Sequence, residues 1–340
     1  MISRIRNSFV ETTSLKSSSL EDIYSGSYDF SINSASWDQR SVVISDSKQF
    51  TSKFGLLFHY AKKDDEGLSE QQKSNLEDYL QTRVAKLSTE LIEAASVEEN
   101  WCLLERHLLQ SCQELGRPLD VFIDLSTTPR YLTLGVLGVG FRNGLVRSLT
   151  YAYSEGTYIT NENTQEIFTE GGWAAVAIPG LSGEWEPHRS RHYVVSVGFE
   201  GIKTRQLVSK SEPDRVSILF PDPPVEESYG ARTQQVNRPL IADFDIGEKN
   251  LVRSHAADVV ATLRVLEDAA VEQFDKENCF YICCGTKPHS LAFAIRSLIK
   301  SEPALLYIAP ESHRVASVEP NGTYWQYKVT DCSSPGAHYE

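Results

Sequence analysis

The sequence predicts an α/β protein made of two similar units, each with a mainly parallel sheet. Three observations carry this. Short apolar runs bounded by turn residues alternate with longer stretches whose apolar residues recur at helical spacing. That order occurs twice along the chain. The 340 residues, 41% hydrophobic and 23% charged, are enough for two domains, each burying its own core.

In the first half, residues 41–45 (SVVIS), 54–61 (FGLLFHYA), 121–125 (VFIDL) and 148–153 (SLTYAY) read as strands. Residues 68–96 read as a helix, with Leu80, Val84, Leu87, Leu91 and Ile92 at helical spacing. Residues 97–115 read as another, with Trp101, Leu104, Leu108 and Leu109. After the third strand, a threonine and Pro129 mark a further helix start. The second half repeats the order. Residues 193–199 and 215–220 read as strands, 221–250 as a polar, proline-containing stretch and 251–274 as a helix. Residues 279–284 (CFYICC) then read as a buried strand, followed by a helix from GTKPHS and a strand at 304–309. Strands alternating with helices imply a parallel, Rossmann-like sheet in each half.

The halves can be laid on each other. Val121–Pro129 matches Phe280–Pro288, Phe54–Phe58 matches Val216–Phe220, and Tyr151–Glu155 matches Tyr307–Glu311. This gives a pseudo-duplicated arrangement, with a first unit over 1–155 and a second over 191–331. Between them, 156–190 is a connector rich in Gly and Pro that carries Trp173 and Trp185, with a strand expected at 173–178. Residues 323–330 (TYWQYKVT) alternate like an edge strand. The tail, 332–340, reads as frayed, and the serine-rich first ~25 residues read the same way.

The formal charge of −13 argues against long nucleic acid as a direct partner. It leaves open a local basic pocket for a small phosphate ligand. The six cysteines form no C-x-x-C pair, so no zinc site is expected, and free thiols fit a reducing cytoplasm. The N-terminus lacks an apolar signal region, and no apolar run is long enough to span a bilayer. There is no G-x-S-x-G, no phosphate-binding P-loop and no H-E-x-x-H. Gly135, Gly138 and Gly140 lie inside a helix, where close packing onto the sheet explains them. No metal or cofactor is expected.

In open α/β sheets, ligands bind beyond the carboxyl ends of the strands, near helix N-termini. Two turns sit there: Ser126-Thr127-Thr128-Pro129 followed by Arg130, and Gly285-Thr286-Lys287-Pro288 followed by His289. Each offers backbone N–H groups, hydroxyls and one cation to an anion. Lys287 opposes the helix macrodipole at that position, and a bound anion would account for it. The alternative is that the threonines only cap helices while Lys287 reaches water. Arg40 and Arg205, in charged loops beside the first strand of each half, either reach the ligand face or pair with Asp38 and Glu200. Asp124, Glu200 and His289 are candidate acid–base groups. Glu155 and Glu311 align across the halves, and His59 reads as a core histidine.

The strand, Gly285-Thr286-Lys287 turn and helix resemble the CARF fold, and two such halves in one chain resemble the SAVED arrangement. In the first half Ser126 stands in place of the glycine and Thr128 in place of the lysine. The resemblance implies Rossmann-like sensing of cyclic oligoadenylates in prokaryotic antiviral defence. Three readings follow. One is a nucleotide or cyclic-nucleotide sensor, binding between the halves through Ser126, Thr127, Arg130, Gly285, Thr286, Lys287 and His289. Its output would be a separate effector protein or self-assembly. The second is an enzyme hydrolysing a nucleotide or phosphate ester. The third is a structural subunit of a defence complex. Replacing Lys287 with Ala separates them: a sensor loses affinity, an enzyme loses rate, a scaffold loses neither.

Overall fold

The computed structural model describes residues 2–5, 8–60, 68–158, 169–270, 277–300, 303–313 and 318–331. The chain divides into two compact units, Met1–Gly171 with Pro310–Glu340, and Gly172–Ala309.

The first unit contains β1 (Ile2–Ile5), β2 (Ser8–Ser17), α1 (Leu20–Ile23), β3 (Gly26–Ala35), β4 (Phe50–Tyr60), α2 (Leu68–Arg83), β5 (Val84–Ile92), α3 (Val97–Leu115), β6 (Leu119–Asp124), α4 (Arg130–Arg142) and β7 (Val146–Tyr158). The strand β8 (Thr169–Ala177) leads into the second unit. There follow β9 (Ser190–Ser196), α5 (Gly201–Ser211), β10 (Arg215–Pro221), α6 (Glu227–Asp243), β11 (Leu251–Ser254), α7 (Val259–Ala270), β12 (Glu277–Cys283), α8 (Lys287–Ile299) and β13 (Ala304–His313). The last strand, β14 (Val318–Asp331), returns to the first unit.

The first sheet runs β1-β2-β14-β7-β6-β3-β4-β5 and the second β11-β10-β9-β12-β13-β8. Counting only the parallel strands in chain order, both read 3-2-1-4-5, the order of a doubly wound Rossmann-like sheet. The three sequence matches between the halves fall on equivalent strands: β6 with β12, β4 with β10, and β7 with β13.

Each sheet is covered on both faces. In the first, Ala35, Leu57, Phe122 and Ala152 pack with Val43, Ile44, Leu76 and Leu80 on one face. On the other, Tyr151 donates to Thr133 O of α4. Gly135 lets α4 approach α3, since a Cβ there would lie 2.5 Å from the Trp101 ring, and Gly140 sits against Val146. The glycines therefore serve helix–helix contact as well as the helix–sheet contact expected of them. In the second unit, α5 and α6 cover Val195, Ile218 and Ile282 through Leu207, Val208 and Leu240. The opposite face meets α8, where Tyr281 stacks on Phe293.

Several elements differ from the sequence reading. Residues 41–45 form part of a 3-10 turn over Gln39–Asp46 rather than a strand, capped by Asp38, whose carboxylate accepts from Arg40 N. Burial of Val43 and Ile44 beneath it overrides their β-propensity. The helix expected over 68–96 ends at Arg83, because β5 is drawn into an eight-residue parallel ladder with β4. The polar stretch 221–250 contains α6 with Pro239 inside it, and the helix expected from 251 is β11 followed by α7. The serine-rich start contains β2. β14 is no edge strand. It lies between β2 and β7, so the first unit includes residues previously assigned to the second. Pro320 within β14 is accommodated by a register shift before Tyr324, where pairing to β2 begins.

Among the described residues no helix is long and apolar enough to cross a membrane. Cys102, Cys112, Cys279, Cys283 and Cys284 are free thiols, and Cys332 lies outside the described residues.

Candidate functional site

In a 3-2-1-4-5 sheet the chain leaves strands 1 and 4 in opposite directions, which opens a crevice at their carboxyl ends. In the first unit that point lies between β3 and β6, and in the second between β9 and β12. The expected turns stand at both points, in different states.

The first-unit turn is folded inward. Ser126, Thr127 and Thr128 are all buried. Asp124 Oδ1 accepts from Ser126 N at 2.8 Å, Ser126 Oγ accepts from Ser154 N at 2.9 Å, and Thr127 Oγ1 donates to Ser34 O at 2.8 Å. Tyr24 OH lies 3.5 Å from Ser126 Oγ. Burial, reinforced by the Asp124 charge, pushes the Tyr24 phenol well above its ordinary pKa. Arg40 is buried and forks onto Asp38, with Nε 3.0 Å from Oδ1 and Nη2 2.6 Å from Oδ2. Its Nη1 donates to Ser154 O. Burial opposes the guanidinium charge, but Asp38 outweighs it and raises the pKa. Arg40 thus pins its own loop, the second of the two roles its sequence allowed. Arg130 opens α4, half-buried. Glu155 is buried and accepts from Trp325 Nε1 at 2.7 Å, whereas Glu311 is exposed.

The second-unit turn is open by comparison. Cys284, Gly285, Thr286 and Lys287 are each half-buried. Gly285 N donates to Ser196 Oγ at 3.1 Å, and a Cβ on Gly285 would lie 3.0 Å from Val197 O. From the other strand end, Gly198 abuts the same turn, since its Cβ would lie 2.9 Å from Cys284 O. Two glycines therefore bring the backbones after β9 and β12 into contact. Thr286 caps α8, its Oγ1 accepting from His289 N at 3.3 Å and donating to Ala256 O at 2.8 Å. Lys287 is the first residue of α8.

His289 is fully buried, with Nε2 3.0 Å from His255 O. A carbonyl only accepts, so Nε2 carries the proton and the ring braces the loop after β11. Glu200 faces Lys203 at 3.9 Å rather than Arg205, and Arg205 Nε donates to Asp243 Oδ2 on α6. The turns thus bring Gly285, Thr286 and Lys287 together, while Arg205 stands away on an exposed helix face. Sequence reasoning missed Ser196, Gly198 and Asn237. Asn237 Nδ2 donates to Gly198 O at 2.9 Å. Its signal was hidden because α6 was read as irregular chain.

A second polar cluster lies at the amino ends of β9, β10 and β12. His192 Nε2 is 2.9 Å from Ser217 Oγ, and Nδ1 is 3.5 Å from Glu277 Oε2, which imitates a nucleophile–base–acid triad. Arg215 Nη2, however, lies 2.8 Å from Nδ1 and 2.6 Å from Glu277. A guanidinium only donates, so Nδ1 is the acceptor and Nε2 holds the proton against Ser217. The ring therefore has no lone pair with which to take the serine's proton. Burial, with the Arg215 charge, lowers the His192 pKa to about 3. Among the described residues no group of three or more His, Cys, Asp or Glu is placed to hold a metal ion. The chain matches no protein-family model and no curated protein.

Proposed function

We propose that this chain is a nucleotide-binding or cyclic-nucleotide-binding module whose ligand phosphate sits on the Gly285-Thr286-Lys287 turn. The observation that carries the reading is the placement of Lys287. It opens α8 at the crevice point of the second sheet, beside two glycines that let the turn pack directly against the loop after β9. A cation there opposes the helix dipole, and a bound anion reverses the sign of that interaction. The inward-turned first-unit turn supports a ligand held by the second unit. The acid–base candidates have other tasks: Asp124 holds Ser126 N, His289 holds His255 O and Glu200 faces Lys203. This favours binding over hydrolysis. The resemblance of the turn to CARF and SAVED units extends the reading to a defence sensor that regulates a partner protein or its own assembly.

The test is a thermal-unfolding screen against mono-, di- and cyclic nucleotides, with Lys287→Ala in parallel. A ligand at 100 times its Kd adds about 2.7 kcal/mol, a shift of several degrees. The expected result is a shift with one nucleotide class that Lys287→Ala abolishes. A flat screen in which the variant matches the parent overturns the reading for the compounds tried.

A further inference from the structure

The edge of a sheet presents a row of unpaired N–H and C=O groups, a template for pairing with another chain, and proteins blunt such edges with charges, prolines or short strands. The two sheets end on β1, β5, β11 and β8. β5 carries Lys86 and Glu90. β11 is four residues long and carries Arg253, and β1 is four residues long and carries Arg4. β8 is guarded by none of these. Residues 171–178 read GGWAAVAI, with no charge and no proline. Ala174, Ala175 and Ala177 are exposed.

The backbone of β8 is open along one side. Ile178 N donates to Leu305 O of β13 at 3.1 Å, and Gly171 abuts Glu311 near the other end of β13, so the two strands run antiparallel. Successive residues of an antiparallel strand turn their N–H and C=O to opposite sides. Ile178 turns to β13, so Trp173, Ala175 and Ala177 turn outward, where the sheet has no further strand among the described residues. Their side chains share one face. It is the face that bears α5, where Trp173 packs against the core of the second unit with Lys210 over its ring, 4.7 Å from the centroid.

We infer that β8 is an interface with a second copy of this chain, the two β8 strands pairing antiparallel about a twofold axis at Ala175. The segment is complementary to itself in that register. Trp173 lies opposite Ala177 of the partner subunit, and Ala175 opposite its own copy. Outward residues then meet outward residues, and each pair exchanges both hydrogen bonds. The large ring faces a methyl group, Ala174 faces Val176 of the partner subunit, and no charges oppose each other. Two chains of charge −13 repel at a distance while the contact itself is uncharged, so added salt tightens the pairing. A basic peptide on the same edge would show the opposite salt dependence. Twofold pairing uses up both open edges, so assembly closes at the dimer. One strand pairing buries less than the roughly 1,200 Å² of a stable interface, which makes the dimer weak and reversible. None of this rests on the nucleotide reading.

Sedimentation velocity of the full chain, with no ligand added, tests this from about 1 to 100 μM. The expected result is a monomer–dimer equilibrium that shifts toward dimer as salt rises. Ala175→Pro removes an outward donor, leaves the bonds to β13 in place and abolishes the dimer with the circular dichroism spectrum unchanged. Ala175→Lys sets like charges face to face across the axis and weakens the dimer by up to about fivefold. An equimolar mixture of Ala175→Lys with Ala175→Glu regains it as a heterodimer. That pair decides the matter if Ala175→Pro alters the fold. A parent that stays monomeric throughout overturns the inference, as does a dimer that Ala175→Pro and Ala175→Lys leave intact. Growth beyond the dimer, or a dimer that salt dissociates, overturns the uncharged twofold pairing.

Discussion

At Gly201 the second unit has no room for a side chain. A methyl group there would meet the Val236 carbonyl, which is backbone and cannot rotate away. Gly201→Ala is expected to push α5 from α6 and cost about 1–3 kcal/mol, read as a fall of several degrees in Tm. His192 governs a pH dependence. Its folded pKa of about 3 lies below the ordinary value of 6.5, so between the two the unfolded chain binds more protons. Its contribution is complete above about pH 6.5 and is lost as pH falls toward the folded pKa, at up to ~1.4 kcal/mol per pH unit. His192→Gln should flatten the acid limb of a plot of unfolding free energy against pH. An unchanged limb would remove His192 as its source. At this scale Lys287 was legible because its charge contradicts the helix that it opens. The inward role of Arg40 depends on Ser154 O, more than a hundred residues away, which no local pattern reveals.

Helices and strands were legible where one periodicity dominated. α3, α8 and β12 stand nearly where the sequence puts them. β5 was hidden because Val84, Leu87 and Leu91 also fit a helix, and because an edge strand half-exposes both faces and blurs its alternation. α6 was hidden by Pro239, which removes a backbone donor from its interior. The alternation of β14 was plain, but its place between two partners is a long-range property. That place makes β14 structural for the whole first sheet. Tyr327→Ala, at a fully buried position of β14, should lower stability by about 3–5 kcal/mol, measurable as a lower denaturant midpoint. By contrast, Thr286→Ala removes the cap of one helix and should cost about 1 kcal/mol. A much larger loss would mean that its bond to Ala256 O holds the loop after β11 in place.

At the scale of the molecule, the second unit is one continuous stretch and the first is assembled from two. A fragment spanning 172–309 should therefore unfold cooperatively by circular dichroism, whereas 1–171 alone should not, since it lacks the strand between β2 and β7. A cooperative melt of 1–171 would show that the two strands can close on each other without β14. The same nesting dictates a schedule during synthesis. β7 is complete at Tyr158, but the strand that covers its edge begins at Val318. At 5–20 residues per second, translation leaves that edge bare for roughly ten to thirty seconds, and the edge of β2, complete at Ser17, for roughly fifteen to sixty. The inserted unit matures during this interval, and the interrupted one waits with open ladders. A ribosome that stalls within the inserted unit prolongs the exposure, so the nascent chain depends on chaperone cover most while that unit is being made.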